Sequence, residues 1–458
     1  MAPKFGTSGL RGLVVELTPD LVADHVRAFV AACDIGSGLC IGQDLRPSSP
    51  RIAGDIIAAA RAEGVRVIDC GALPTPALAL AARDHGAGAV MVTGSHIPAD
   101  RNGLKFYSHR GEITKTDETA INAALGRPAG TAAGTLETDG GAAARFVERY
   151  VSACGPGALA GRRIGLYSHS AVGRDDLAAM LRAIGAEVVE LGRSETFIPV
   201  DTEAVDPDTR AQIAEWVAAE GLDALVSTDG DSDRPLLADE TGTIVPGDVM
   251  GQITAERLGA EHVVTPISSN SGVTRKGFAR VETTRIGSPY VIAGMEELGG
   301  KVVGYEANGG FLLGFEAQGP AGPLAPLPTR DCMLPLIVTL IAARDGRVSE
   351  RIAQEPPVVT MADRLQEVPQ EASQPFVARL AQDTAARGAF LSGLGAEEAG
   401  CDLTDGVRMS LADGRTVHIR PSGNAPELRL YVEAIDRAGA EALMDRGLTL
   451  LREAVLGV

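Results

Sequence analysis

Short apolar runs alternate with polar, glycine-punctuated stretches along this chain, and in three places they do so in the same order. Leu39-Cys40-Ile41-Gly42 leads into the polar Gln43 to Arg46, a helical stretch through Ala62 and a second apolar run, Val65 to Ile68. The order returns at Arg163 to Leu166, with Tyr167 to Ser170, a helix through Ile184 and Glu187 to Leu191. It returns again at His262 to Val264, with Pro266 to Asn270, a short helix and Val281 to Arg285. Apolar runs of four or five residues predict strands and the stretches between them helices, so the pattern predicts three related α/β units with loops at the carboxyl ends of their sheets. From about Met361 the pattern changes. It reads as a helix, a hairpin with Arg420 to Asn424 at its turn between Thr416–Ile419 and Leu428–Val432, and a final helix, Arg437 to Val455.

Punctuation divides the chain further. Gly126 to Gly141, rich in Gly, Ala and Thr, reads as a connection; Pro246-Gly247-Asp248 opens the third unit, Gln354 to Pro357 closes it, and Gln318 to Pro328 reads as a long surface loop. Four domains are expected, at 1–138, 139–246, 247–357 and 358–458.

The densest chemistry follows the apolar run Ala224 to Thr228, where Asp229, Asp231 and Asp233 fall at alternate positions of a Gly-containing loop ending in Arg234. Three like charges this close call for a cation, and hard carboxylate oxygens suit Mg²⁺ or Ca²⁺, although a solvated acidic turn has the same composition. An EF-hand calcium loop would place a glycine at Arg234, even though Glu240 falls on its twelfth position. A haloacid-dehalogenase motif would make Asp229 a nucleophile, but its fifth position is Asp233 rather than Thr or Val. Upstream, Thr93-Gly94-Ser95-His96-Ile97-Pro98 follows the strand-like Ala89 to Val92 and offers Ser95 as a nucleophile. It is not a hydrolase elbow, because Ile97 stands where Gly would be needed. Asn102-Gly103-Leu104-Lys105 brings a cation on a turn beside that strand end, where a lysine can move a proton. Arg420 to Asn424 gathers an Arg fork, a Ser hydroxyl and turn amides of the kind that bind phosphate, and Gly304 to Gly310 carries Glu306 and Asn308, suited to the hydroxyls of a polyol.

Composition narrows the setting. At 458 residues with 45% hydrophobic positions, the chain can bury several cores. A net charge of −18 with scattered Lys and Arg argues against nucleic acid, so an anionic substrate must be met by a locally positive site built from Arg11, Lys105, Arg234, Arg420 and a metal. None of the six cysteines (Cys33, Cys40, Cys70, Cys154, Cys332, Cys401) forms a Cys-x-x-Cys pair, as expected of reduced thiols in a cytoplasm. The longest apolar run, Met333 to Ala343, is too short to span a bilayer, so no membrane partner is expected.

Taken in order, these segments resemble the α-D-phosphohexomutase superfamily, most closely its bacterial phosphomannomutase members. Phe5 to Gly12 is similar to the N-terminal signature, Thr93 to Pro98 to the phosphoserine loop and Asp229 to Arg234 to the metal loop. Gly304 to Gly310 is similar to the sugar loop, and Arg420 to Asn424, extended to Arg429, to the phosphate loop. Two departures stand out. Ile97 replaces the Asn usual after Ser-His. In the sugar loop, usually Gly-Glu-x-Ser-Gly-His, Asn308 takes the Ser position and Gly310 the His position.

The resemblance implies three α/β domains with mixed sheets and a C-terminal α+β domain around a central cleft. It implies reversible phosphoryl transfer between C6 and C1 of a hexose phosphate, through a phosphoserine and a hexose 1,6-bisphosphate that also serves as activator. Mannose phosphate is the expected substrate, with glucose and glucosamine phosphates as alternatives. Ser95 would carry the phosphate, and one Mg²⁺ would sit on Asp229, Asp231, Asp233 and Ser95. Lys105, with Arg11 and His96, would handle protons and charge. Arg234, Glu306, Asn308, Arg420, Ser422, Gly423, Asn424 and Arg429 would bind substrate, in a monomer or weak homodimer. A phosphatase using Asp229 and a non-catalytic sugar-phosphate sensor are the readings from other classes.

Overall fold

The computed structural model describes residues 3–6, 9–422 and 426–457. Contacts divide the chain into two units, one of residues 1–263 and 287–354, the other of residues 264–286 and 355–458.

The first unit begins with a mixed sheet whose strands run in the order Lys4–Phe5, Leu10–Leu13, Arg101–Ser108, Gly88–Val92, Leu39–Gln43, Val67–Ala72 and Leu136–Thr138, with Gly111–Glu112 on the Arg101–Ser108 strand. Gly88–Val92, Leu39–Gln43 and Val67–Ala72 run parallel, and the first two read as largely apolar runs because they are buried on both faces. Leu39, Ile41 and Val90 pack against Phe29 of helix Pro19–Ala32 and Ile52 and Ile56 of helix Ser49–Ala62, all fully buried. Thr18 caps the first of these helices, accepting from the Leu21 amide, and a proline at its first position suits an N–H that would be unpaired anyway. The strand expected at Val65–Ile68 begins two residues later, because the Val65 amide is spent closing the preceding helix on the Ala60 carbonyl at 3.1 Å. The expected connection Gly126–Gly141 contains an added edge strand, Leu136–Thr138, parallel to Val67–Asp69.

A second sheet orders Glu187–Leu191, Arg163–Tyr167, Ala224–Thr228 and Pro235–Asp239, the last pairing antiparallel. Further on, Val302–Tyr305, Phe311–Leu313 and Leu327–Asp331 pair antiparallel beside helices Gly247–Arg257, Ser288–Leu298 and the apolar Met333–Ala342. The segment expected as a long surface loop, Gln318–Pro328, does lie at the surface but is a strap fastened along its length. It forms a small hairpin, Ala317–Gln318 with Pro323–Leu324, before entering the sheet. It is also tied to helix Ala142–Cys154, since the Ala321 and Gly322 amides donate to the Ala153 carbonyl at 2.9 and 3.2 Å. Arg149 reaches the Ala325 carbonyl, Arg83 the Pro326 carbonyl, and the Tyr150 hydroxyl donates to Asp331.

The second unit holds an antiparallel sheet ordered Val359–Leu365, Leu428–Ala434, Thr416–Pro421, Val407–Leu411 and Glu398–Asp402, covered by helices Gln370–Gln382, Thr384–Gly393 and Arg437–Leu456. The sequence suggested a helix from Met361. That residue lies instead in a strand paired along its length with Leu428–Ala434, a partner more than sixty positions away that no local pattern reveals. Residues 264–286 join this unit, with the Ser271 amide on Glu433 at 2.9 Å and the Asn270 amide nitrogen on the Val358 carbonyl at 2.9 Å.

Candidate active site

Ser95 lies just past strand Gly88–Val92 with a left-handed backbone, φ 54°, which a non-glycine residue adopts only when its surroundings demand it. Those surroundings are specific. Its amide donates to Thr93 Oγ1 at 2.7 Å, and Arg46, fully buried, donates to the carbonyls of Ser95, Ile97, Pro98 and Arg101 at 2.8, 2.6, 2.7 and 3.0 Å. Arg46 Nε pairs with Asp44 at 3.1 Å, and the guanidinium stacks 4.1 Å over Phe197. A Cβ at Gly94 would come within 2.6 Å of the Arg46 guanidinium carbon, so that position has no room for a side chain.

The three aspartates converge below this serine. Ser95 Oγ donates to Asp229 Oδ2 at 2.6 Å, while Asp229 Oδ1 accepts the Asp233 and Arg234 amides at 3.2 Å each. Ser232, φ 55°, gives the loop the kink that turns alternate side chains inward. Lys105 Nζ bridges Asp231 Oδ2 and Asp233 Oδ2 at 2.5 and 2.6 Å, and Thr75 adds its hydroxyl to Asp231 at 2.5 Å. Lys105 projects from strand Arg101–Ser108 and not from a turn, as its Asn-Gly context had suggested. Strand placement fixes its reach.

Carboxylate oxygens of Asp229, Asp231 and Asp233 lie within 4.8 Å of one another, and Oδ1 of both Asp231 and Asp233 is buried without a hydrogen-bond partner. Buried carboxylate oxygens normally have partners, so two left open beside a third, in an oxygen-only cluster, fit a hard divalent cation. Electrostatics agree. Burial, then the Asp231 and Asp233 charges, push the Asp229 carboxyl well above the usual range. Burial acts the same way on Asp233, but Arg330, Lys105 and Arg234 together hold it far below. Burial and the Asp233 charge push Asp231 up, but Lys105 and the Thr75 hydroxyl outweigh them and hold it below the usual carboxylate range.

Cations crowd the rim. Arg234 Nη1 approaches His96 Nδ1 at 3.0 Å, and burial with the Arg234 charge pushes the imidazole down to about 3, leaving it neutral and able to accept a hydrogen bond. Arg11, on strand Leu10–Leu13, is brought down to about 10 by burial and the Arg234 and Arg330 charges. In the sugar-like loop, Glu306 pairs with Arg330 at 3.2 Å, while Asn308 accepts the Gly310 amide at 3.0 Å through Oδ1 and Thr202 Oγ1 at 3.2 Å through its carbonyl.

In the second unit, Arg420 and Arg429 stand opposite each other across the hairpin, and Arg429 also opposes Arg364 on the next strand. A row of like charges is unfavourable unless anions answer it. Asp405 takes Arg420 at 2.8 Å, and Glu427 takes Arg364 and Arg429 at 3.3 Å each, two carboxylates for three guanidinium groups. Ser422 is buried and its amide closes the hairpin on the Glu427 carbonyl at 2.9 Å; Gly423 and Asn424 lie outside the described residues.

Sequence reasoning missed Arg46, Thr75 and Arg330. Arg46 had a faint signal, Asp-x-Arg at a strand end, whereas nothing local marks the other two.

Four family models match in series: phosphoglucomutase/phosphomannomutase alpha/beta/alpha domain I over residues 2–129, domain II over 144–242, domain III over 239–358, and the C-terminal domain over 360–448. A phosphomannomutase of Sinorhizobium fredii (strain NBRC 101917 / NGR234) is 44% identical, covering 100% of both chains. One of Salmonella muenchen is 40% identical over 94% of this chain and 91% of its own, and a phosphoglucosamine mutase of Symbiobacterium thermophilum is 30% identical over 97% of each. Among solved structures, a phosphoglucomutase/phosphomannomutase family protein from Burkholderia thailandensis shares the fold with a TM-score of 0.79 at 20% identity, covering 98% of this chain and 97% of that one. With its motifs in order and all four domain models matched, this chain belongs to the phosphoglucomutase/phosphomannomutase family.

Proposed function

We propose that the chain is a phosphomannomutase, moving phosphate reversibly between C6 and C1 of mannose phosphate through a phosphoserine at Ser95 and a hexose 1,6-bisphosphate. The observation that carries this reading is the Ser95 hydroxyl, 2.6 Å from Asp229 and beside an open cluster of carboxylate oxygens that Lys105 bridges. A phosphatase reading would make Asp229 the nucleophile, yet both its oxygens are already engaged. Preference for mannose is supported by relatives named phosphomannomutase at 44% and 40% identity, against 30% for the phosphoglucosamine mutase.

In the proposed roles, Ser95 carries the phosphate and Arg11 and Arg234 face its charge. One Mg²⁺ held by Asp229, Asp231, Asp233 and Ser95 would supply positive charge to a phosphoryl oxygen. Lys105 acts as general acid or base on the attacking hydroxyl, assisted by Arg11 and neutral His96. Glu306 and Asn308 hold sugar hydroxyls. Arg420, Ser422, Gly423, Asn424 and Arg429 hold the phosphate that is not reacting, whose charge answers the arginine row. The bisphosphate turns over between half-reactions, and free hexose 1,6-bisphosphate rephosphorylates Ser95 as activator. We assign the phosphoserine, metal, sugar and phosphate loops to domains at 1–138, 139–246, 247–357 and 358–458, in a monomer or weak homodimer. Six free cysteines support a cytoplasmic setting, and among the described residues no helix is long and apolar enough to cross a membrane.

The test is a coupled assay of the purified protein with mannose, glucose and glucosamine phosphates side by side, together with Ser95→Ala and phosphopeptide mapping. Mannose phosphate should lead, the variant should lose nearly all turnover, and the label should lie on Ser95 and resist hydroxylamine. Hydroxylamine-labile phosphate on Asp229, or full activity in Ser95→Ala, would overturn the reading.

A further inference from the structure

Arg330 lies next to last on strand Leu327–Asp331 with its side chain 4% exposed, among groups drawn from three distant segments. Nε and Nη2 lie 3.0 and 2.9 Å from Asp233 Oδ2, and Nη1 lies 3.2 Å from both Glu306 Oε2 and Ser288 Oγ. Ser288 in turn donates to Glu112 at 3.0 Å. One planar cation thus spans the metal loop and the sugar loop, a geometry the guanidinium fork allows and a lysine ammonium does not. The stem needs its own space. A Cβ at Gly310 would lie 2.8, 2.9 and 3.1 Å from Cδ, Cγ and Cβ of Arg330, so any side chain at 310 would collide with it. Gly310 stands where the usual sugar loop carries His. Glycine at 310 and arginine at 330 therefore form a matched pair.

We propose that Arg330 is the positioning residue for hexose recognition in this chain: it occupies the space a side chain at 310 would fill, fixes the Glu306 carboxylate toward the sugar hydroxyls, and ties that carboxylate to Asp233. This rests on the phosphohexomutase reading of the site. Two consequences of opposite sign follow. Glu306 without its partner loses its orientation, so hexose phosphate binding weakens and discrimination between epimers falls. Asp233 Oδ2 is shared by Arg330 and Lys105, and removing one of two cations from it leaves more negative charge for a divalent ion. Metal binding therefore tightens. A residue that merely props the fold would weaken both.

The experiment compares wild type, Arg330→Met and Arg330→Lys by calorimetric titration with Mg²⁺ and with mannose 6-phosphate and glucose 6-phosphate, alongside kcat and KM for each sugar. For Arg330→Met, charge removal and the lost ion pair predict Mg²⁺ affinity up about threefold or more, hexose phosphate affinity down about tenfold, and the ratio between sugars moved at least about fivefold. Arg330→Lys restores the Mg²⁺ value but not the sugar ratio. Mg²⁺ affinity that falls, or a sugar ratio within about twofold of wild type, overturns the proposal, since that is the scale of ordinary surface substitutions. If Arg330→Met does not fold, Gly310→Ala displaces the same stem with every charge kept, and must still shift the sugar ratio. A wild type that binds both sugars without turning them over would overturn the reaction proposed above while leaving the binding arms to judge Arg330.

Discussion

Arg46 spends both terminal nitrogens of its guanidinium on the segment that presents Ser95 and its Nε–H on Asp44, and replacing it with methionine shows what that segment costs to hold. The substitution strips donors from four carbonyls, at buried Ser95, half-buried Ile97 and the more exposed Pro98 and Arg101, and leaves Asp44 without its ion pair. Each buried group left unpaired costs about 1–3 kcal/mol, and breaking a buried ion pair on one side about 3–5 kcal/mol. The sum exceeds what a short loop with one residue at φ 54° can retain. The loop will therefore leave its conformation before the domain unfolds, which caps the global loss at about 3–5 kcal/mol. The assay is hydrogen exchange over residues 93–103 combined with kcat. Arg46→Met should lose protection in that segment selectively and lose at least about a hundredfold in kcat, roughly 2.7 kcal/mol of barrier. Adding Asp44→Asn should recover part of the stability, since the unpaired buried charge is gone, without recovering kcat. Unchanged exchange in residues 93–103 together with kcat near wild type would show that the serine loop holds itself, and the reasoning would fail.

EDTA should abolish turnover and Mg²⁺ restore it, and Asp231→Asn should weaken Mg²⁺ binding and turnover together; full activity in a verified metal-free preparation would refute this. Arg420→Ala removes a charge-assisted contact worth about 1.5–3 kcal/mol and should slow both directions of the mutase while raising the requirement for hexose 1,6-bisphosphate; slowing of one direction alone, after correction for the equilibrium, would refute the shared-anchor role. Burial and the neighbouring Asp175 raise Asp176 from the ordinary carboxyl value to about 6. Its stabilising contribution is therefore present below the unfolded value and lost as pH rises through about 6. Asp176→Asn should raise stability at pH 8 by about 1 kcal/mol, after allowance for solvent screening and the lost helix-terminal charge, and change nothing at pH 4; equal Tm values at pH 8 would refute it.

What could be read from the chain in advance is what its own neighbours decide. Ala224–Thr228 and the aspartates behind it form one continuous strand and loop, so both strand and ligand spacing are local facts. The repeated strand-and-helix units are legible for the same reason, since each strand end and helix start lies within a few residues of its turn. Arg330 and Thr75 are different: each joins the aspartate cluster only because the fold brings a distant element to it, the strand Leu327–Asp331 for Arg330 and the start of helix Thr75–His85 for Thr75, and a single Arg or Thr leaves no trace of that in composition. Val359–Leu365 was misread because its residues do not alternate by exposure and its pairing partner lies far along the chain. The fastenings of the Pro- and Gly-rich stretch before residue 328 were missed because such composition marks turns without saying what the turns are fastened to.

That strap bears on how the protein can be altered. A surface stretch dense in proline and glycine is the usual choice for inserting an affinity tag, grafting a peptide or trimming a chain. Here the backbone at 321 and 322 is stitched to Cys154's neighbour Ala153, arginines at 83 and 149 cap its carbonyls, and Tyr150 holds Asp331, next to the arginine that reaches both Glu306 and Asp233. Cutting or lengthening it would slacken a tether that ends in the active site, so an engineer seeking a tolerant insertion point should look instead to a turn whose tip bonds within the turn, such as Asp413-Gly414, where the Gly414 amide closes back on the Leu411 carbonyl at 3.0 Å between the strands ending at Leu411 and beginning at Thr416.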